Sequence, residues 1–163
     1  MKTIFKIILV LFFICPSLVY GQKSKQKEMA RFIITDATQD NYDITPAILS
    51  MGLYTVFYQV ENDRRLYMAN VSSNKDSQSY GYVYNWENYH EKETAETYAA
   101  DVFTFNWSYY NTYDGKSGTC KCIFTKIYKP QGVVSTLQMM TEDLRLIVYK
   151  GYMEGSLDFS DYF

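Results

Sequence analysis

The sequence predicts a mainly β fold: an antiparallel meander of about eight strands, forming a small barrel or sandwich, with one or two short helices. The chain has 17 tyrosines and 10 phenylalanines among its 163 residues, and aromatic side chains suit pleated, half-buried surfaces. Stretches of alternating polar and apolar residues recur between turn signals. Most connections are too short for parallel crossovers. An α+β domain with one curved antiparallel sheet is the alternative architecture.

The first 21 residues have the pattern of a secretory signal peptide. Lys2 and Lys6 precede nine unbroken apolar residues from Ile7 to Cys15, and Gly21 supplies the small residue at the cleavage point. The apolar run is too short to span about 30 Å of hydrocarbon as a helix. The pattern predicts a periplasmic or secreted protein with no stable membrane insertion after signal cleavage.

The rest of the chain is interpreted as one domain. Residues 22–29 are predicted to be a polar spacer, residues 30–153 a single β-rich domain and residues 154–163 a C-terminal tail. Loss of the two lysines of the signal leaves 14 basic and 18 acidic residues, a net charge of −4. This acidity disfavours nucleic-acid binding, which depends on Lys and Arg contacts to phosphate.

The first half of the domain contains strand and helix signals in turn. Arg31 to Ala37 is predicted to be a strand, followed by a short helix that begins with a capping hydroxyl at Thr45 and ends at Gly52. Leu53 to Glu61 and Leu66 to Ser72 are predicted to pair as a hairpin. The fourth strand is predicted over Gln78 to Trp86.

The second half begins with a change of pattern. Residues 88–100 are rich in good helix formers, and Ala95, Tyr98 and Ala99 share one helical face, so a second helix is predicted there. Four more strands are then predicted, over residues 101–110, 119–129, 133–140 and 144–153. This strand count and helix placement resemble ligand-binding barrels of the lipocalin kind, a resemblance of fold that no motif carries.

Two predicted strands carry aromatic residues at alternate positions, which is the pattern of either a ligand-binding surface or one side of a core. The stripe on strand five consists of Phe103, Phe105, Trp107 and Tyr109. The stripe on strand four is the predicted ligand-binding site, because its phenol and indole groups would need polar partners inside a dry core. Its members are Tyr80, Tyr82, Tyr84 and Trp86.

Other reactive residue types are sparse. Cys120 and Cys122 lie two positions apart on a predicted strand, too far for the Cβ separation of about 4 Å that a disulfide needs. They are interpreted as buried free thiols, with redox chemistry or intermolecular pairing as alternatives. His90, the one histidine, is interpreted as a surface residue of the second helix. No metal site, cofactor or catalytic constellation is predicted.

These observations predict a secreted or periplasmic, non-catalytic binding module with an aromatic-lined face or cavity for a sugar or an apolar ligand. Its partner would be a carbohydrate, a lipid or a protein. The alternatives are an extracytoplasmic structural or protein-interaction domain, and a small outer-membrane β-barrel.

Overall fold

The structure, a computed structural model, describes residues 25–73, 77–155 and 157–162. The predicted signal peptide and the start of the spacer lie outside the described residues. The fold is a closed antiparallel barrel of eight strands with one additional short strand, which confirms the predicted fold class and decides between barrel and sandwich. The strands are β1 (Gln26–Gln39), β2 (Tyr42–Asp43), β3 (Leu53–Val60), β4 (Leu66–Ser72), β5 (Gln78–Glu91), β6 (Ala100–Asn111), β7 (Ser117–Lys129), β8 (Gly132–Thr141) and β9 (Leu146–Gly155).

The barrel closes because β1 pairs on one side with β3 and on the other with β9. All other barrel strands pair with their neighbours in chain order. The extra strand β2 pairs only with the last two residues of β1, across a tight turn in which Asp40 and Asn41 both have positive φ. Asn and Asp tolerate this left-handed conformation better than other non-glycine residues.

The predicted first helix is confirmed as α1 (Thr45–Met51), with proline in its first turn and Gly52 in the left-handed conformation (φ 58°) at its end. The predicted capping role of Thr45 is wrong, because Ile44 occupies the N-cap position without a side-chain cap. The Thr45 hydroxyl instead accepts from the Ala37 amide at 2.9 Å and donates to the Ala37 carbonyl at 3.2 Å. These bonds tie α1 to β1.

The predicted second helix is wrong. β5 continues to Glu91 and pairs with β6, so that Asn88 lies opposite Phe103 and Glu91 opposite Ala100. Residues 92–99 form a turn in which the Thr94 hydroxyl accepts hydrogen bonds from the backbone of its neighbours. Helix propensity is a weak preference, and here it is overridden by cross-strand pairing beside a buried aromatic stripe.

Described residues of the predicted spacer and of the predicted tail belong to the barrel or pack against it. β1 begins at Gln26, inside the predicted spacer. In the predicted tail, a short 3-10 helix (Phe159–Tyr162) carries the fully buried Phe159. Its ring lies 4.8 Å from that of Phe103 and 5.1 Å from that of Phe124, between ring centroids. Phe159 therefore plugs the end of the barrel at which β1 begins.

The middle of the barrel is filled by apolar side chains from the inward faces of the strands. The fully buried members include Phe32, Phe57, Met68, Phe124 and Leu137. Packing of this kind supplies most of the stability of a small domain. The barrel is thus a packed core that is plugged at one end.

Candidate functional site

The end of the barrel opposite Phe159 contains an open cavity of about 440 Å³. It lies where β1 ends and α1 follows, and it is bordered by the ends of β3 through β9. We call this cavity the cup. Its lining residues include Leu53, Asn70, Ser79, Trp107, Tyr109, Cys120, Met139, Ile147 and Tyr149.

One wall of the cup is formed by Trp107 and Tyr109, the last two members of the β6 stripe. The rings of Trp107 and Tyr109 are 4.8 Å apart between centroids and tilted by 33°. The Trp107 indole N–H donates to the Met68 carbonyl at 3.2 Å, which fixes the ring. Tyr109 lies over Gly118 of β7, where an added Cβ would come within 2.9 Å of its Cζ. A larger residue than glycine at 118 would therefore displace this wall.

Asn70 provides a fixed amide on β4, two strands away from β6 in the barrel. Its Oδ1 accepts a hydrogen bond of 2.7 Å from the buried Thr55 hydroxyl, which sets the orientation of the amide. Its Nδ2 lies 3.8 Å from the Met139 sulfur. A thioether is a weak acceptor and an amide nitrogen carries two hydrogens. Asn70 therefore keeps donor capacity at the wall of the cup.

Tyr149 provides a second donor. Its side chain is buried, and burial is the main cause that raises its pKa to about 12, so the phenol is neutral at physiological pH. No described residue forms a hydrogen bond with its hydroxyl. Every fully buried side-chain N or O atom of the described residues has a hydrogen-bond partner, so this hydroxyl is accessible to solvent. The hydroxyl therefore opens into the cup that Tyr149 lines.

Charged groups lie at the rim of the cup and not in its walls. No described lining residue is an acid or a base. Burial, with a smaller contribution from Glu142 and Asp143, raises the pKa of the Cys120 thiol to about 12. The rim thus places carboxylates near a neutral, largely apolar wall.

The structure separates the four residues of the predicted binding stripe. Tyr80, Tyr82 and Tyr84 point outward from β5, and the exposed fractions of the first two are 38% and 37%. Trp86 faces the core, with its ring 4.6 Å from Phe105 and 5.6 Å from Phe159. The prediction of one common face is therefore wrong for Trp86.

The cause is a β-bulge between Tyr84 and Glu87, in which Asn85 has a φ of 55°. A bulge inserts an unpaired residue and changes the side to which the following side chains point. Alternation counted through the bulge consequently fails. None of the four stripe residues lines the cup.

The three outward tyrosines belong to a wider aromatic patch, here called the outer tyrosine surface (Tyr67, Tyr80, Tyr82, Tyr84 and Tyr110). The ring of Tyr80 lies 5.9 Å from that of Tyr110, and the ring of Tyr82 lies 5.6 Å from that of Tyr84. The Arg65 guanidinium lies 5.0 Å from the centre of the Tyr82 ring. The patch thus contains two pairs of contacting rings and one guanidinium on the outside of the barrel.

Cys120 and Cys122 are buried free thiols, as predicted. They lie opposite Trp107 and Phe105 on the inward faces of β7 and β6, where two small side chains leave room for two large ones. Burial raises the pKa of Cys120 to about 12 and that of Cys122 well above its usual value. Both thiols are therefore protonated at neutral pH and are poor nucleophiles.

His90 is exposed, as predicted, but on a strand. Its Nδ1 lies 2.7 Å from Asp101 Oδ1, and the Tyr128 hydroxyl donates to the other oxygen of that carboxylate. Within residues 25–73, 77–155 and 157–162, no three His, Cys, Asp or Glu side chains are placed to share a metal ion. The helices of this same part of the chain include none with the length and hydropathy of a membrane span.

Comparison with known proteins found no match: no family model, no curated protein and no solved structure is similar to this chain.

Proposed function

We propose that the protein is a secreted or periplasmic, non-catalytic binding module that takes a small, mainly apolar ligand into the cup. The observation that carries this proposal is the cavity of about 440 Å³ with its aromatic wall. Ligand pockets typically measure about 300–1,000 Å³, are mostly apolar with a few placed polar groups, and occur in the mouths of β-barrels. The cup has each of these properties.

The distribution of polar residues favours this proposal over the outer-membrane barrel. The interior is filled with aromatic and aliphatic side chains, whereas Lys121, Lys150 and Glu154 are exposed on the outside of the barrel strands. Membrane barrels have the opposite arrangement, with an apolar band facing lipid and a polar interior.

The outer tyrosine surface favours a second candidate, a protein-interaction domain. Tyrosine is enriched at interfaces because it combines a large apolar ring with a hydroxyl. Arg65, which lies over Tyr82, is another residue type that is common at the centre of interfaces. This surface lies on the outer wall, so its use would not compete with the cup.

The chain offers a reporter for ligand binding, because only one of its two tryptophans lines the cup. Substitution of Trp86 by Phe leaves Trp107 as the single tryptophan. We expect titration with 1-decanol to change Trp107 fluorescence saturably and to raise the melting temperature of the protein. Cellobiose serves as the sugar probe in a parallel titration.

A matched pair of variants locates the binding. Ser79 lines the cup, so Ser79→Phe should fill it and abolish saturable binding. Thr136→Phe adds a similar bulk on the outside of β8 and should bind like the parent. The proposal would be contradicted if neither decanol nor cellobiose bound saturably, or if Ser79→Phe bound as well as the parent. Cellobiose binding that is lost only in Tyr82→Ala/Tyr84→Ala would move the site to the outer surface.

A further inference from the structure

Resting on the proposed binding function of the cup, we propose that its ligand is electrically neutral and presents a hydrogen-bond acceptor, such as a hydroxyl, carbonyl or ether oxygen, to Tyr149 and Asn70. The ligand class is therefore that of long-chain alcohols, ketones and esters rather than fatty acids or amines.

The described walls of the cup carry no charged side chain. Transfer of an ionised carboxylate or ammonium from water into an apolar site is strongly unfavourable unless a partner of opposite charge is present. The cup wall offers indole, phenol, thioether, thiol and amide groups, none of which is ionised at neutral pH. A neutral head group avoids this desolvation penalty.

The charged groups at the rim of the cup already have partners of their own. Arg145 pairs with Asp143 at 2.8 Å. The Thr119 hydroxyl donates to Glu142 at 2.6 Å. Asp114 and Lys116 line, with these groups, a cavity that adjoins the cup at Tyr109 and Thr141. The described charged groups of this cavity are three carboxylates and two cations, so they provide no excess of positive charge to hold a carboxylate.

The polar groups of the cup that lack strong partners are hydrogen-bond donors. Tyr149 as a residue is more than nine-tenths buried, while its hydroxyl opens into the cup and has no partner among the described residues. The acceptor oxygen of Asn70 is already used by Thr55, whereas its nitrogen contacts only a thioether. Both groups are thus available as donors, and the ligand must supply the acceptor.

Three probes with the same ten-carbon chain test the charge requirement: 1-decanol, decanoate and decylammonium, each titrated at neutral pH and below its micelle concentration into the Trp86→Phe protein. We expect decanol to bind with a Kd at least about tenfold lower than either ion, because the hydrocarbon contacts are identical and only the ions lose hydration without a partner.

Tyr149→Phe tests the donor. Removal of one hydrogen bond of this kind should raise the Kd for decanol by roughly 2- to 12-fold and leave that for decane unchanged. Tyr80→Phe, which removes a hydroxyl from the outer surface, should leave both values unchanged. An unchanged melting temperature of Tyr149→Phe shows that its fold is intact. If Asn70 supplies the donor instead, Asn70→Asp should weaken decanol binding while Tyr149→Phe does not.

The outcomes separate this inference from the proposed function. Decanoate or decylammonium binding as tightly as decanol would overturn the neutral ligand while the cup remained a binding site. Equal effects of Tyr149→Phe on decanol and decane, together with no effect of Asn70→Asp, would overturn the donor role. Failure of all three probes and of decane to bind would overturn the proposed function itself.

Discussion

The stripes on β5 and β6 look alike in the sequence, but the three tyrosines of the β5 stripe lie outside the barrel wall and the β6 stripe lies inside it. Trp107 on β6 pairs with Val83 on β5, and both face inward, whereas Tyr82 pairs with Ser108 and both face outward. The intervening residues explain the difference. Those of the β6 stripe are Thr104, Asn106 and Ser108, which suit water, and those of the β5 stripe include Gly81 and Val83. The side of an aromatic stripe is therefore set by the residues between its members.

The largest expected effect comes from the inner stripe. Phe105→Ala removes a ring that is buried and packed against Trp86, so it should lower the free energy of unfolding by about 3–5 kcal/mol. Tyr84→Ala on the neighbouring strand is the control and should cost less than about 1 kcal/mol. Chemical denaturation measures both. Equal losses would mean that the two stripes do not differ in burial.

Alkaline pH should also distinguish the inside from the outside. The pKa of Tyr149 is raised to about 12 by burial, so its protonated form is favoured in the folded state. Its contribution is complete below the unfolded pKa of about 10 and is lost as pH rises through the folded pKa, a loss of about 2–3 kcal/mol. Unfolding free energies measured from pH 9 to 12 should fall less in Tyr149→Phe than in the parent or in Tyr82→Phe. An identical fall in all three proteins would show that Tyr149 is hydrated in the folded state.

A smaller effect is expected from the hydrogen bond that orients Asn70 in the cup wall. Thr55→Val removes the hydroxyl that donates to Asn70 Oδ1 and leaves a part-buried acceptor without its partner, at a cost of about 1–3 kcal/mol. Because the freed amide can rotate, decanol affinity should also fall. Thr136→Val makes the same replacement on the outside of β8 and should change neither property. Unaltered stability and affinity in Thr55→Val would remove Asn70 from the description of the cup.

The smallest effect is expected on the outer tyrosine surface. The double variant Tyr82→Ala/Tyr84→Ala loses one ring–ring contact and the Arg65–Tyr82 cation–π contact, together worth about 1–2.5 kcal/mol. Its thermal transition should remain cooperative and close to that of the parent, by circular dichroism. Loss of the transition would show that the outer rings are needed for the fold itself.

The fold was predictable because it depends on short-range patterns. The first helix has local signals in Pro46 and Gly52, and the hairpin of β3 and β4 has one in Asn62. The structure has both elements. The strand conformation of residues 88–91 was not predictable from residues 88–100 alone, since it depends on pairing with the β6 residues that follow. The bulge at Asn85 likewise has no decisive local signal. The bulge thus accounts for the unexpected position of Trp86, and the pairing of β5 with β6 accounts for the absence of the predicted second helix.

The cup was only partly predictable. The alternation from Phe103 to Tyr109 correctly places Trp107 and Tyr109 on one face, but the sequence favoured the other stripe as the binding site. Asn70 and Tyr149 lie on strands far apart in the chain and line the same cavity only when the barrel closes. A cavity of this kind is a property of strand order and closure, and periodicity within one strand does not report it.

The seam between β1 and β9 has a consequence for how the protein is made. The Thr35 hydroxyl bonds to the Lys150 carbonyl across 115 positions of the chain. Contacts of such separation require the closure of a long loop before they contribute, and they make folding slow. Until β9 emerges, β1 presents an unpaired edge that can bind a strand from another molecule. The newly synthesised chain is therefore most prone to aggregate before its last strand closes the barrel, a risk that a chaperone covering β1 would reduce.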